Sequence, residues 1–169
     1  MNSVLKTWND ADDAEALEAM LACCGARRWA SAMVGLRPLK SVFKLSETAD
    51  RVWDTMEEPD WMEAFACHPR IGERIVAQAS AQSVLWSQQE QSQANAADEH
   101  LLARLAEGNA LYEQRFGFTY IVCATGKSAG EMLAILEHRL DNSRDAELRE
   151  AAEQQRQIMQ LRLGKWLVE

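Results

Sequence analysis

The sequence is short of chain breakers, with three prolines and eight glycines in 169 residues. Little of it is therefore left for turns. The residues that dominate instead, Ala, Leu, Glu, Gln and Arg, are good helix formers, so a mostly helical protein is expected. The four cysteines, Cys23, Cys24, Cys67 and Cys123, include no CxxC pair. That argues against a thiol metal site or a disulfide framework, and all four read as small buried hydrophobes in a reducing compartment. No apolar run approaches the ~20 residues of a membrane span. The start of the chain lacks the basic-then-apolar pattern of an export signal, and Trp166-Leu167-Val168-Glu169 is not a peroxisomal address. A cytoplasmic protein with no membrane partner is expected.

Positive charge is also scarce. Eighteen Lys and Arg stand against 26 Asp and Glu, a net charge of −8. A nucleic-acid partner needs clustered cations on the phosphates and is not expected. The same net charge repels small anions at long range, so any anion site must be built locally. Only three histidines occur, His68, His100 and His138, with no HxH or HxxxH spacing. No metal is expected.

What is present is core material. Hydrophobic residues make up 47%, with six Trp and seven Met, enough for one domain over residues 1–169 without disulfides or metal. Asp12 and Asp13 are expected to open a first helix carrying Leu17, Met20, Leu21 and Cys24 and stopped by Gly25. A second carries Trp29 and Met33 and ends before Pro38. A third starts near Ser46 with Val52, Trp53 and Met56. A fourth follows Pro59, carries Trp61, Met62 and Phe65, and ends near His68, because Pro69 disfavours the α region before it. Ser87-Gln88-Gln89-Glu90 has the capping-box pattern, which predicts a long helix from Ser87 through Ala94, Ala97, Leu101, Leu105 and Tyr112, kinked or cut short at Gly108. Ser128-Ala129-Gly130-Glu131 is a second such box, opening a helix with Met132, Ile135, Leu136 and Leu140. A last helix runs from about Asp145 to Trp166. Between these, Phe116 to Ala124 is apolar and β-branched and reads by propensity as a buried strand.

Several residues invite chemistry. Gly126-Lys127-Ser128 suggests a phosphate loop, but GxxxxGKS/T requires Gly where Ile121 stands, so a turn before a capped helix is the better reading. His68, in Cys67-His68-Pro69-Arg70-Ile71-Gly72-Glu73, is either a satisfied structural residue or an acid–base group placed at a helix end. Glu90 is either the third residue of a cap or a functional carboxylate. Arg162 lies among Ile158, Met159 and Trp166, on an apolar helix face. It either snorkels its head into water or is held dry to grip a carboxylate.

Taken together, these blocks resemble a known family. His68 to Glu73, Ser87 to Ala94, Tyr112 to Phe118 with Tyr120 to Ala124 and Gly126 to Ser128, and Arg139 to Asn142 with Glu147 and Leu161-Arg162-Leu163 are similar, in order and spacing, to the OHCU decarboxylases. These convert 2-oxo-4-hydroxy-4-carboxy-5-ureidoimidazoline (OHCU) to (S)-allantoin in urate breakdown. The resemblance implies an all-α single-domain bundle of about eight helices, a homodimer and no cofactor. It makes residues 116–124 an extended segment leading into a helix, whose backbone N–H and C=O groups could bond the substrate. It implies a catalytic set of His68, Glu90 and Arg162, and a pocket lined by Pro69, Ser87, Gln91, Phe118, Tyr120, Ile121, Val122, Cys123 and Ala124. Thr119, Thr125 and Asn95 depart from the usual Pro, Arg and Gly. The alternatives are a related helical enzyme with another ureido substrate, a nucleotide enzyme, and a non-catalytic helical interaction module. OHCU turnover, ATP binding and tolerance of His68→Ala tell them apart.

Overall fold

The computed structural model describes residues 1–71, 80–92 and 99–169. Among these the protein is all helical, with no strand. The helices are α1 (Ser3–Asp10), α2 (Asp13–Cys23), α3 (Arg27–Gly35), α4 (Val42–Trp53), α5 (Glu58–Ala66), α6 (Ala81–Glu90), α7 (Glu99–Phe116), α8 (Ala129–Arg139) and α9 (Arg144–Trp166). None of them is long and apolar enough to cross a membrane. The chain forms two compact units, one of Met1–Ala64 with Arg156–Glu169 and one of Phe65–Gln155.

In the first unit, side-chain caps decide where helices begin. Asn2 accepts from Leu5 N–H, Asp12 from Glu15 N–H at 2.9 Å and Ser41 from Lys44 N–H at 3.1 Å. The Asp12 start is as expected. The α1 helix was not anticipated, because Leu5 and Trp8 are its only buried residues and leave too short a pattern to read. The α2 face also differs from expectation. Ala16, Met20 and Cys23 are buried, while Leu17 and Leu21 are only half-buried. The α4 helix starts before Ser46. That residue is interior, and its hydroxyl donates to Gln160 Oε1 at 2.8 Å, while Gln160 Nε2 donates to Asp50 at 2.8 Å. Met56 lies beyond the end of α4 but is still buried. The unit closes around Trp8, Met20, Trp29, Met33, Leu45, Trp53, Met159 and Leu163. The Trp29 ring N–H is satisfied by Ala49 O at 3.1 Å.

In the second unit, α7 packs against α8, and Gly108 is the point of contact. A Cβ there would lie 2.5 Å from Leu136 Cδ2. Gly108 thus does not end α7, which runs on to Phe116; it lets the two helices approach. The α7 helix stops at Gly117, whose φ of +82° suits only glycine well, and whose N–H donates to Glu113 O at 2.8 Å. Tyr112, Phe116, Phe118 and Tyr120 stack edge and face with centroids 4.7–6.2 Å apart.

The second capping box is as predicted. Ser128 Oγ accepts from Glu131 N–H at 3.1 Å and contacts its carboxylate at 3.2 Å. The first is not. The N-cap of α6 is Ser80, which accepts from Ser83 N–H at 3.1 Å, and Ser87 lies inside the helix. That helix ends at Glu90, so no single helix runs on from Ser87. Ala94, Asn95 and Ala97 lie outside the described residues, as do Gly72 and Glu73.

Candidate active site

His68 sits where expected, just past the end of α5, with Pro69 buried behind it and its own N–H bonded to Phe65 O at 3.1 Å. The ring is half-buried and its Nε2 lies 2.6 Å from Gln155 Oε1 on α9.

The correction to α6 changes the meaning of two residues. Ser83, Trp86 and Ser87 are buried at i, i+3 and i+4, and Glu90 and Gln91 continue that stripe. Ser87 and Gln91 therefore sit on the inward face, both buried. Glu90 cannot be an N-terminal cap, because it is the last residue of α6. The exposed carbonyls there make the helix C-terminus the unfavourable end for a negative charge, by about 0.3–1 kcal/mol. Glu90 is half-buried at this end.

Residues 119–124 are extended, and Tyr120 to Ala124 are all buried. Propensity alone predicted a strand. Instead, side chains take the place of a neighbouring strand. Ile121 O accepts from Arg139 Nη1 at 2.7 Å, Cys123 N–H donates to Gln154 Oε1 at 2.9 Å, and Cys123 O accepts from Lys127 Nζ at 2.7 Å. The Tyr120 hydroxyl donates to Met132 O at 2.9 Å. These backbone groups are thus engaged rather than open, which narrows the expectation that the segment bonds substrate. The Val122 N–H and C=O are among the backbone groups of this run with no partner among the described residues. Gly126, at φ +78°, makes the turn into α8. Gly126-Lys127-Ser128 is therefore a turn and cap, with Lys127 spent on Cys123.

Arg139 anchors this arrangement. It is buried and bonded through Nε to Glu147 at 2.6 Å, with Nη2 at 2.5 Å. Glu147, 0% exposed, also accepts from the Tyr112 hydroxyl and, at 3.0 Å, from Asn142. Burial, then the bond to Glu147, pushes the Tyr112 phenol above its ordinary range. Burial opposes the charge on Arg139, yet Glu147 and the two tyrosines hold its pKa above the usual value. The sequence marked Arg139 and Glu147 only as part of a motif.

Arg162, in the first unit, is 2% exposed. The snorkelling reading is therefore wrong, since the guanidinium is dry. It lies 3.5 Å from Ala22 O, among buried Ile158, Met159 and Leu163. Nearby Cys23 is buried, which pushes its thiol well above the ordinary range. Cys24 and Cys123 are buried as expected, but Cys67 is only half-buried; all four are free thiols. Among the described residues no group of three or more His, Cys, Asp or Glu could hold a metal ion.

A profile of the OHCU decarboxylase family matches residues 9–164. The chain belongs to the OHCU decarboxylase family. Among other members, the Arabidopsis thaliana uric acid degradation bifunctional protein TTL is 37% identical over 144 residues, 85% of this chain but 44% of that protein's length. The Amia calva 2-oxo-4-hydroxy-4-carboxy-5-ureidoimidazoline decarboxylase is 28% identical over 134 residues, 79% of this chain and 77% of its own. A crystal structure of OHCU decarboxylase in the presence of (S)-allantoin superposes with a TM-score of 0.78 at 32% identity. The match covers 94% of this chain and all of that one. The all-α architecture and the extended run before α8 are those expected of the family.

Proposed function

We propose that this chain is a carboxy-lyase that decarboxylates OHCU to (S)-allantoin without a cofactor, closing the conversion of urate to allantoin. The observation that carries this is the family match over residues 9–164, which spans His68, Glu90 and Arg162.

The substrate's own structure explains why no cofactor is required. One ring carbon bears the hydroxyl and the carboxylate, next to an imine-type carbon. When CO2 leaves, the electron pair of the broken bond flows into the C=N system, so the ring is the electron sink. A proton then reaches the former imine carbon, and the hydroxyl becomes a carbonyl. The protein has three tasks. It must hold the carboxylate out of the ring plane, stabilise charge on ring nitrogen and oxygen, and deliver the proton to one face.

His68 handles the proton at the hydroxyl and the reacting carbon. Arg162 orients the anion, and its dry setting supports this: a desolvated guanidinium fork grips a carboxylate more strongly than one in water. It also supplies the local positive site that a chain of net charge −8 requires. Glu90 accepts from ureido or ring N–H groups and tunes His68. Pro69, Ser87, Gln91, Phe118 and Tyr120 to Ala124 line the pocket, and the burial of all of them supports that placement. The active form is a cytoplasmic homodimer.

The test generates OHCU in situ from urate and follows circular dichroism, using protein that has been exhaustively chelated and dialysed. Fast, one-handed allantoin formation is the expected result. Allantoin appearing only at the spontaneous rate, with no net dichroism, overturns the proposal. Activity restored by one particular metal overturns its cofactor-free form.

A further inference from the structure

Gln155 has no role in the reading above, yet it touches the ring of His68. It is 0% exposed, on α9, with its amide oxygen 2.6 Å from His68 Nε2. A carbonyl oxygen only accepts, so at this contact the ring nitrogen carries the hydrogen. The other end of the same amide is different. Gln155 Nε2 is buried and has no hydrogen-bond partner among the described residues. A glutamine kept only for packing would be satisfied at both ends, and a leucine would fill the space without the desolvation cost of an unmet donor. Because the amide nitrogen and oxygen share one carbon, the unmet N–H groups lie beside the His68 ring.

We propose that Gln155 is a positioning and binding residue of this site. Its carbonyl fixes the proton on His68 Nε2, and its N–H groups donate to an oxygen of the substrate. This rests on the decarboxylase reading for the identity of the substrate but not for the state of His68.

Two variants separate the halves of the proposal. Gln155→Leu removes both functions, whereas Gln155→Glu keeps the accepting oxygen and loses the donor. Nitrogen-15 spectra of the wild type should show a His68 Nε2–H resonance that exchanges slowly with water. It should persist in Gln155→Glu and vanish in Gln155→Leu. With OHCU, kcat of Gln155→Leu should fall about tenfold or more, as for a mispositioned acid–base group. Gln155→Glu should mainly raise KM, about tenfold, because it offers an anionic substrate no donor. The Tm of Gln155→Leu should equal or exceed that of the wild type, since a buried unmet donor is gone; a merely structural glutamine predicts a fall. Absence of the resonance in the wild type, or its survival in Gln155→Leu, overturns the positioning role. Unchanged KM in Gln155→Glu overturns the donor role. If the wild type itself does not turn over OHCU, the decarboxylase reading falls, and the resonance still decides whether Gln155 holds His68.

Discussion

Arg139 and His68 both sit in the second unit among buried apolar side chains, but their partners treat them differently. Around Arg139 the hydrogen bonds are saturated. Glu147 takes two guanidinium nitrogens, Ile121 O takes a third, and both Glu147 oxygens also receive bonds from Tyr112 and Asn142. The rings of Tyr112 and Tyr120 lie 6.0 and 5.0 Å from the cation. At His68 one ring nitrogen meets a neutral amide that is used at one end only. A saturated cluster has nothing left with which to bind a ligand, and it rigidifies what it touches. A half-used one stabilises the fold less and keeps a donor in reserve. The first arrangement holds the extended run that serves as a wall of the proposed pocket, and the second belongs to the proposed site.

The largest effect should come from breaking the saturated cluster. Glu147→Ala leaves the Arg139 charge buried without its partner, which should cost about 3–5 kcal/mol. Urea unfolding measures it, and a midpoint close to wild type would show that the cluster is not the wall's anchor. His68→Asn should do the reverse. Stability should hardly change, since Asn is tolerated at such a helix end, while turnover should fall by about 10²-fold or more, roughly 2.7 kcal/mol. The residual allantoin should be racemic by circular dichroism. Rapid (S)-allantoin from this variant would move the proton-handling role elsewhere.

Glu90→Gln comes next. Activity should drop about tenfold, and stability should stay within about 1 kcal/mol of wild type, because no N-terminal cap is lost. A large stability loss with full activity would return Glu90 to a structural role. The smallest effect should come from Gly108→Ala, which belongs to neither cluster and lies one turn before Tyr112 on α7. The new methyl must displace the buried Leu136 side chain, costing about 1–3 kcal/mol, while helix propensity returns about 1 kcal/mol. A net Tm decrease of a few degrees with unchanged kcat is expected.

How far these features could be read in advance depended on how local their causes are. The same Ser-x-x-Glu pattern was correct at Ser128 and wrong at Ser87. At Ser128 the preceding backbone is extended and Gly126 has just turned the chain, so a helix has to begin there. At Ser87 a helix is already running from Ser80, held by the burial of Ser83 and Trp86. Gln155 could have been noticed as a polar residue seven positions before Arg162 on the same helix face, among apolar neighbours. Nothing local pointed to its partner, which is 87 residues away.

The amino-acid order alone determined the helical class, the stop before Pro69, the cap at Ser128, and the motif set that marks the family and its candidate residues. These depend on backbone sterics and on contacts a few positions apart, and such effects can be read along the chain. Only the tertiary structure decided that Arg162 is dry, that Arg139 is spent on Glu147 and Ile121, that Glu90 ends a helix rather than starting one, and that Gln155 faces His68. Each of these depends on which distant side chains exclude water from a polar group and which remain to bond it, and that is settled only when the helices pack.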